Sequence, residues 1–96
     1  LMTRDEILAA VAAERDRLHE LTVRELALFG SYARNEARDD SDVDFLVEFG
    51  VKSFDHYMDL KELLESLFGK RVDLVLKGSI KPRLRERILG EAVHAA

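Results

Sequence analysis

A chain of 96 residues suits one domain, here taken as residues 1–96, with a small hydrophobic core. Its net charge of -4 argues against direct nucleic-acid binding, which needs a basic face, and no apolar run approaches the length of a membrane span. The absence of cysteine excludes disulfides and thiolate metal sites and fits a protein of the reducing cytoplasm.

Hydrophobic periodicity and turn residues predict seven elements, in the order helix, strand, short helix, strand, helix, strand, helix. A capping box formed by Thr3 and Glu6 begins the first helix, which we expect to run from residue 4 to about residue 20. The later elements are strand 26–29, short helix 31–37, strand 42–49, helix 54–68, strand 71–77 and a final helix from about 82 to 92. This order predicts an α/β (α+β) fold with a small mixed sheet of at least three strands flanked by helices.

Two aspartates, Asp42 and Asp44, begin the second predicted strand. Residues two apart on a strand share a face, with backbones roughly 7 Å apart, so their carboxylates can bridge divalent cations. Magnesium is the usual cation where substrate phosphates complete the coordination, and two ions about 4 Å apart can activate an attacking oxygen and stabilise a leaving one. Taken alone, such a pair more often belongs to a solvated strand face.

Gly30 and Ser31 follow the first predicted strand. A glycine there lets the backbone approach a phosphate closely, and a serine at the start of the next helix adds a hydroxyl beside free amide groups. The same two residues are also common as a simple turn and helix cap. Ten residues separate Ser31 from Asp42, which gives the more specific pattern Gly-Ser-x(10)-Asp-x-Asp.

With this pattern the chain resembles the DNA polymerase β-like nucleotidyltransferase superfamily. In detail it resembles the minimal nucleotidyltransferases, the MNT components of HEPN/MNT toxin–antitoxin pairs. The resemblance lies in residues 29–34 (FGSYAR) and 41–47 (SDVDFLV), and it extends over nearly the whole chain. The family often has glycine where this chain has Asn35, but asparagine tolerates a left-handed backbone better than most residues do.

A third carboxylate, Asp73, lies between Val72 and Leu74 in the last predicted strand. By alternation it shares a face with Arg71 and Val75. On its own it fits an outward-facing residue as well as an active-site group. The resemblance favours a third active-site carboxylate, which in the family positions a metal or acts as a base toward the acceptor hydroxyl.

The resemblance implies a polymerase β-like core and a metal-dependent nucleotidyltransferase that uses ATP and two Mg²⁺ ions. Asp42, Asp44 and Asp73 would be the catalytic residues and metal ligands, while Gly30 and Ser31 would cradle the β- and γ-phosphates. The implied reaction transfers AMP to a hydroxyl, a tyrosine in the family, of a cognate HEPN ribonuclease toxin. The chain would thereby act as an antitoxin.

Two alternatives are also compatible with the sequence. The acceptor can be a small-molecule hydroxyl, although 96 residues leave no room for a second acceptor domain unless an oligomer supplies it. The chain can also neutralise a toxin by binding alone, with the motif as an inherited scaffold. The presence of all three carboxylates favours catalysis.

Other residues have weaker claims to the site. Arg34 can reach a triphosphate, because arginine binds phosphate oxygens through two parallel hydrogen bonds, whereas Arg38 is better interpreted as solvated. Tyr32 fits a place beside the nucleotide and a place in the core equally well. The three histidines show no metal-ligand spacing and are expected at the surface: His19, His56 and His94.

Overall fold

The computed structural model describes residues 1–96. In chain order its elements are α1 (Arg4–Ala12), α2 (Arg15–Glu20), β1 (Val23–Phe29), α3 (Gly30–Ala33), β2 (Val43–Phe49), α4 (Phe54–Phe68), β3 (Val72–Leu76), a 3-10 helix (Lys77–Ser79), α5 (Pro82–Glu91) and β4 (Val93–His94). No helix combines the length and the hydropathy that crossing a bilayer requires.

The four strands form one sheet in the order β3-β2-β1-β4. β1 pairs antiparallel with both β2 and β4, and β2 pairs parallel with β3. The predicted mixed sheet of at least three strands is therefore confirmed. The fourth strand was not predicted, because its two residues are too few to show an alternating pattern.

The predicted helix boundaries follow local capping chemistry. The hydroxyl of Thr3 accepts from the amide of Glu6, and the carboxylate of Glu6 accepts from the amide of Thr3. The hydroxyl of Ser53 accepts from the amide of His56 in the first turn of α4, and α4 ends at Gly69, whose φ of 62° is left-handed. Pro82 occupies the first turn of α5, where its missing amide is not needed.

The single first helix predicted for residues 4 to about 20 is wrong. The structure has two helices, α1 and α2, separated at Ala13 and Glu14. No glycine or proline marks this break. α1 contacts α4, whereas α2 contacts β1, so packing against two different elements decides the change of direction.

The two faces of the sheet carry hydrophobic cores of different size. The large core lies between the sheet and the helices α1 and α4. Its 16 buried residues are Ile7, Val11, Leu18, Leu21, Leu26, Leu28, Tyr32, Ala33, Val43, Phe45, Val47, Phe49, Leu60, Leu64, Val72 and Leu74. The small core lies under α5, and its five buried residues are Ala27, Phe29, Leu46, Ile80 and Ile88.

Candidate active site

Two of the three predicted carboxylates are partners in the sheet. Asp44 of β2 lies directly opposite Asp73 of β3 in the parallel register, and neighbouring strands are about 4.8 Å apart. Both side chains belong to the face of the small core, since Phe45 and Leu74 point into the large core. Asp42 immediately precedes β2 and is exposed, as is Asp73, whereas Asp44 is half-buried. The structure therefore brings Asp44 and Asp73 together and leaves Asp42 exposed to solvent just before β2.

Gly30 lies against Asp44 because the antiparallel register pairs Phe29 with Asp44. Gly30 has a left-handed φ of 76°. A Cβ at this position would lie 2.9 Å from Cγ of Asp44 and would overlap its Oδ2. Only glycine fits both the backbone angle and this close approach. Ser31 follows as the second residue of α3.

Contacts between the starts of β2 and β3 fix the end of the sheet that carries the three carboxylates. The amide of Val43 donates to the carbonyl of Arg71 at 3.0 Å, which joins the starts of β2 and β3. The ammonium of Lys70 donates to the carbonyl of Asp39 at 2.6 Å and ties the loop before β2 to the turn before β3. These contacts hold the aspartate-bearing ends of both strands at the same level.

The electrostatics of this edge are unfavourable for a bare carboxylate. The pKa of Asp44 is raised to about 6, first by burial and then by the negative charges of Asp73 and Asp42. The positive charge of Arg34 opposes this effect. Uncompensated negative charge on clustered oxygens is the donor chemistry that suits a hard divalent cation. As the side chains stand, no three ligand residues surround one point, so the exposed aspartates would have to turn inward to share an ion.

A cavity of about 460 Å³ opens beside Gly30 and Asp44. Its lining residues are Phe29, Gly30, Ser31, Arg34, Asp44, Arg87 and Glu91. Four of these residues were predicted from the sequence as site residues, whereas Arg87 and Glu91 were not. They lie four residues apart, which puts them on one face of α5, but the sequence alone gave no sign of which element that face meets.

Arg34 reaches this cavity and is held there by two carboxylates. Its Nη1 donates to Oε2 of Glu91 at 2.9 Å, and its Nε donates to Oε2 of Glu36 at 3.2 Å. The hydrogen bond to Glu36 is the main cause of a raised pKa of Arg34, and the charges of Glu91 and Glu36 add to it. The amide of Gly30 also donates to Oε2 of Glu91, at 2.7 Å.

Three residues between β1 and β2 have different environments. Tyr32 is 1% exposed and packs in the large core, so it does not stand beside the cavity, and its hydroxyl has no hydrogen-bond partner. Arg38 is exposed and forms no ion pair, as expected of a solvated residue. Asn35 has a left-handed φ of 58°, so asparagine maintains the turn that glycine often makes in the family.

The histidines divide into two kinds. His19 and His94 are exposed, as predicted. His56 is partly buried: its Nδ1 lies 2.6 Å from the carbonyl oxygen of Val51 and 3.4 Å from the hydroxyl of Thr22. Its ring thus joins the start of α4 to the loop before β1, which corrects the expectation of a simple surface residue.

The family model for the nucleotidyltransferase domain matches residues 8–94. The chain belongs to the nucleotidyltransferase domain family. This nucleotidyltransferase is 44% identical over 96 residues to protein adenylyltransferase MntA of Thermococcus cleftensis, in an alignment covering 98% of this chain and 97% of the relative. The prediction of an enzyme of this class is confirmed.

One solved structure places the nucleotidyltransferase in the minimal group, and another shares its fold. One, assigned to a minimal nucleotidyltransferase, superposes with a TM-score of 0.82 at 39% identity and covers 96% of this chain and 95% of its own. A second, a tri-AMPylated Shewanella oneidensis HEPN toxin in complex with MNT antitoxin, matches with a TM-score of 0.65 at 19% identity, covering 94% and 71%. The second match shows a shared fold alone. The predicted minimal nucleotidyltransferase fold is confirmed.

Proposed function

We propose that this nucleotidyltransferase transfers AMP from ATP to a hydroxyl, a tyrosine, of a cognate HEPN ribonuclease toxin and so acts as its antitoxin. The observation that carries the proposal is the contact between the Gly30 turn and Asp44, with Asp73 directly opposite on β3. A phosphate-binding turn and paired carboxylates at one edge are the two parts that nucleotidyl transfer needs. The relatives support the acceptor, since one is a protein adenylyltransferase and another is bound to an AMPylated HEPN toxin.

The proposed reaction is a displacement at the α-phosphorus. The acceptor hydroxyl oxygen forms the new bond to the α-phosphorus, the bond from the α-phosphorus to the bridging oxygen breaks, and pyrophosphate leaves. The proton of the hydroxyl passes to solvent or to Asp73, which is exposed beside Asp44. Positioning and charge neutralisation supply most of the rate enhancement in such transfers.

The proposed roles divide between the three carboxylates at the starts of β2 and β3 and the cavity beside them, with Asp44 belonging to both. Asp42, Asp44 and Asp73 offer the oxygen donors that would hold one or two Mg²⁺ ions, which supply charge neutralisation at the transferring phosphoryl group. The amide of Gly30, the hydroxyl of Ser31 and the guanidinium of Arg34 face the same cavity and would bind the β- and γ-phosphates. The half-buried Asp44 joins the two groups, because its carboxylate lies against Gly30.

The decisive experiment combines the purified chain with labelled ATP, Mg²⁺ and the protein encoded by the neighbouring gene. We expect label on a tyrosine of that protein and loss of its ribonuclease activity. The variant Asp42→Asn plus Asp44→Asn should abolish labelling while leaving the two proteins able to associate. Asp40→Asn, an exposed change in the preceding loop, is the matched control.

Two results would replace this proposal with its rivals. If the neighbouring protein is inhibited but never labelled, and the double variant inhibits equally well, neutralisation works by binding alone. If a small-molecule hydroxyl accepts the label and the protein does not, the enzyme class stands but the acceptor is wrong.

A further inference from the structure

One oxygen of Glu91 occupies the phosphate side of the cavity. Its Oε2 accepts from the amide of Gly30 at 2.7 Å and from Nη1 of Arg34 at 2.9 Å. The side chain of Glu91 is only 18% exposed. A single anionic oxygen therefore receives a backbone donor and a guanidinium donor at once, as a phosphate oxygen does in a phosphate site.

The position of Glu91 is otherwise poor for a carboxylate. It is the last residue of α5, where the aligned peptide dipoles leave partial negative charge. Glu91 also lines the same cavity as Asp44, so two negatively charged side chains repel each other there. The donors from Gly30 and Arg34 are the contacts that offset this repulsion.

Arg87 stands one helical turn before Glu91 and lines the same cavity. It forms no ion pair, although the chain has more acidic than basic residues. The α5 face over the cavity therefore presents one unpaired cation and one anion already bound to the phosphate donors. A polyphosphate bound here would find Arg87 unpaired and would compete directly with Glu91 for the donors of Gly30 and Arg34.

The backbone that carries Glu91 is fixed, so only its side chain can leave. β4 follows α5 after one residue and pairs with β1, with Leu28 opposite Val93 and Ala27 opposite His94. Ile88, one turn earlier, is buried in the small core. Rotation of the side chain is therefore sufficient to free both donors.

We infer that Glu91 is an internal phosphate mimic, which holds the Gly30 amide and Arg34 until the phosphates of a nucleoside triphosphate displace it, with Arg87 as an additional phosphate ligand. The inference rests on the proposed function, because it assigns the triphosphate to this cavity. Glu91 keeps the empty site ordered and lowers its apparent affinity by the fraction of time that it occupies the donors. Glu91 is thus a residue that sets nucleotide affinity, not a catalytic residue.

The test measures equilibrium binding of a fluorescent, non-hydrolysable ATP analogue to the full chain with Mg²⁺. Glu91→Gln keeps the shape and an accepting oxygen but removes the charge that makes the competing hydrogen bonds strong. We expect it to bind the analogue about tenfold more tightly than the unaltered chain. Arg87→Gln should bind it more weakly. Glu86→Gln, an exposed change on the same helix, should leave the affinity unchanged.

Adenosine, which has no phosphate, is the second probe. Its affinity should be the same for the unaltered chain and for Glu91→Gln, because only phosphate competes with the carboxylate. An equal gain for adenosine and the ATP analogue would overturn the inference, since it would indicate a general loosening of the cavity. So would an unchanged or weaker affinity of Glu91→Gln for the analogue.

A measurement on the unaltered chain guards against a variant that folds poorly. The amide resonance of Gly30 should shift when the ATP analogue is added, as its carboxylate partner is exchanged for phosphate. A Gly30 resonance that stays in place while that of Ser31 moves would contradict the displacement. Failure of every form of the chain to bind the analogue would instead overturn the proposed function itself.

Discussion

On the face of the sheet that packs against α1 and α4, sixteen buried residues form the large core, whereas five form the small core beneath α5. The two faces use alternate residues of the same strands: Phe45 points into the large core and Asp44 into the opposite side. Burying most apolar area on one face leaves the other face able to carry charges that do not stabilise the fold. The mutually repelling carboxylates, of which only Asp44 is half-buried, are tolerated on the face of the small core because the large core supplies most of the stability.

The largest expected effect comes from breaking the charged face. Asp44→Asn should reduce AMP transfer on the order of 10³-fold, comparable with removing one group that stabilises transition-state charge. The free energy of unfolding should not fall, because no large-core contact is lost. Initial rates with labelled ATP and urea unfolding of the same samples measure the two effects. Equal activity of Asp44→Asn and the unaltered chain would refute the assignment of this carboxylate.

The complementary change disrupts the large core. Phe45→Ala removes a fully buried ring that stacks on Phe68 at 6.0 Å between centroids, and it should lower the free energy of unfolding by about 4 kcal/mol. Transfer activity should persist at temperatures where the variant is still folded. Val51→Ala, at a site 60% exposed, is the control and should change stability little. Thermal and urea unfolding measure both variants, and an equal loss of stability in Phe45→Ala and Val51→Ala would contradict the role of the large core.

A third change tests the contact that joins the two parts of the site. Gly30→Ala places a methyl group against Oδ2 of Asp44 on a left-handed backbone, so we expect a loss of about 2 kcal/mol in stability and a large loss of activity. Gly78→Ala adds the same methyl group in open space and serves as the control. If Gly30→Ala is as active as Gly78→Ala, the close approach of the turn to the carboxylate is not needed.

The smallest effect concerns pH. The pKa of Asp44 in the folded chain, about 6, is higher than its ordinary value of 3.8, so the folded chain holds the proton more tightly than the unfolded chain. Stability contributed by this group is therefore full below the lower value and is lost as the pH rises through the higher one. At neutral pH Asp44→Asn should recover about 1 kcal/mol, once solvent screening of the exposed side is allowed for.

Unfolding curves across this pH window check the sign. The stability advantage of Asp44→Asn should disappear toward the acid end, where the native aspartate is protonated. Adding Mg²⁺ at neutral pH should stabilise the unaltered chain and not the variant, because the cation neutralises the charge that repels its neighbours. An advantage of the variant that grows on acidification would mean that Asp44 is stabilised as a carboxylate, contrary to its raised pKa.

The sequence by itself determined most of the elements and the chemical nature of the site. Alternation along β2 and β3 correctly divided Asp44 and Asp73 from the apolar residues beside them, because each strand is buried on one face more deeply than on the other. The capping box at Thr3 marked the start of the first helix, since it acts on amides only a few positions away. The Gly30-Ser31 spacing to Asp42 identified the family.

Tertiary structure alone decided the rest. The break between α1 and α2 and the pairing of β4 depend on which distant element each segment meets, and no local residue signals either. Glu91 and Arg87 could not be assigned to the cavity from sequence, because some 50 to 60 residues separate them from the Gly30 turn and only the packing of α5 brings them together. Residue type and spacing predict which contacts a side chain can make, whereas the packing of distant elements determines which of those contacts it makes.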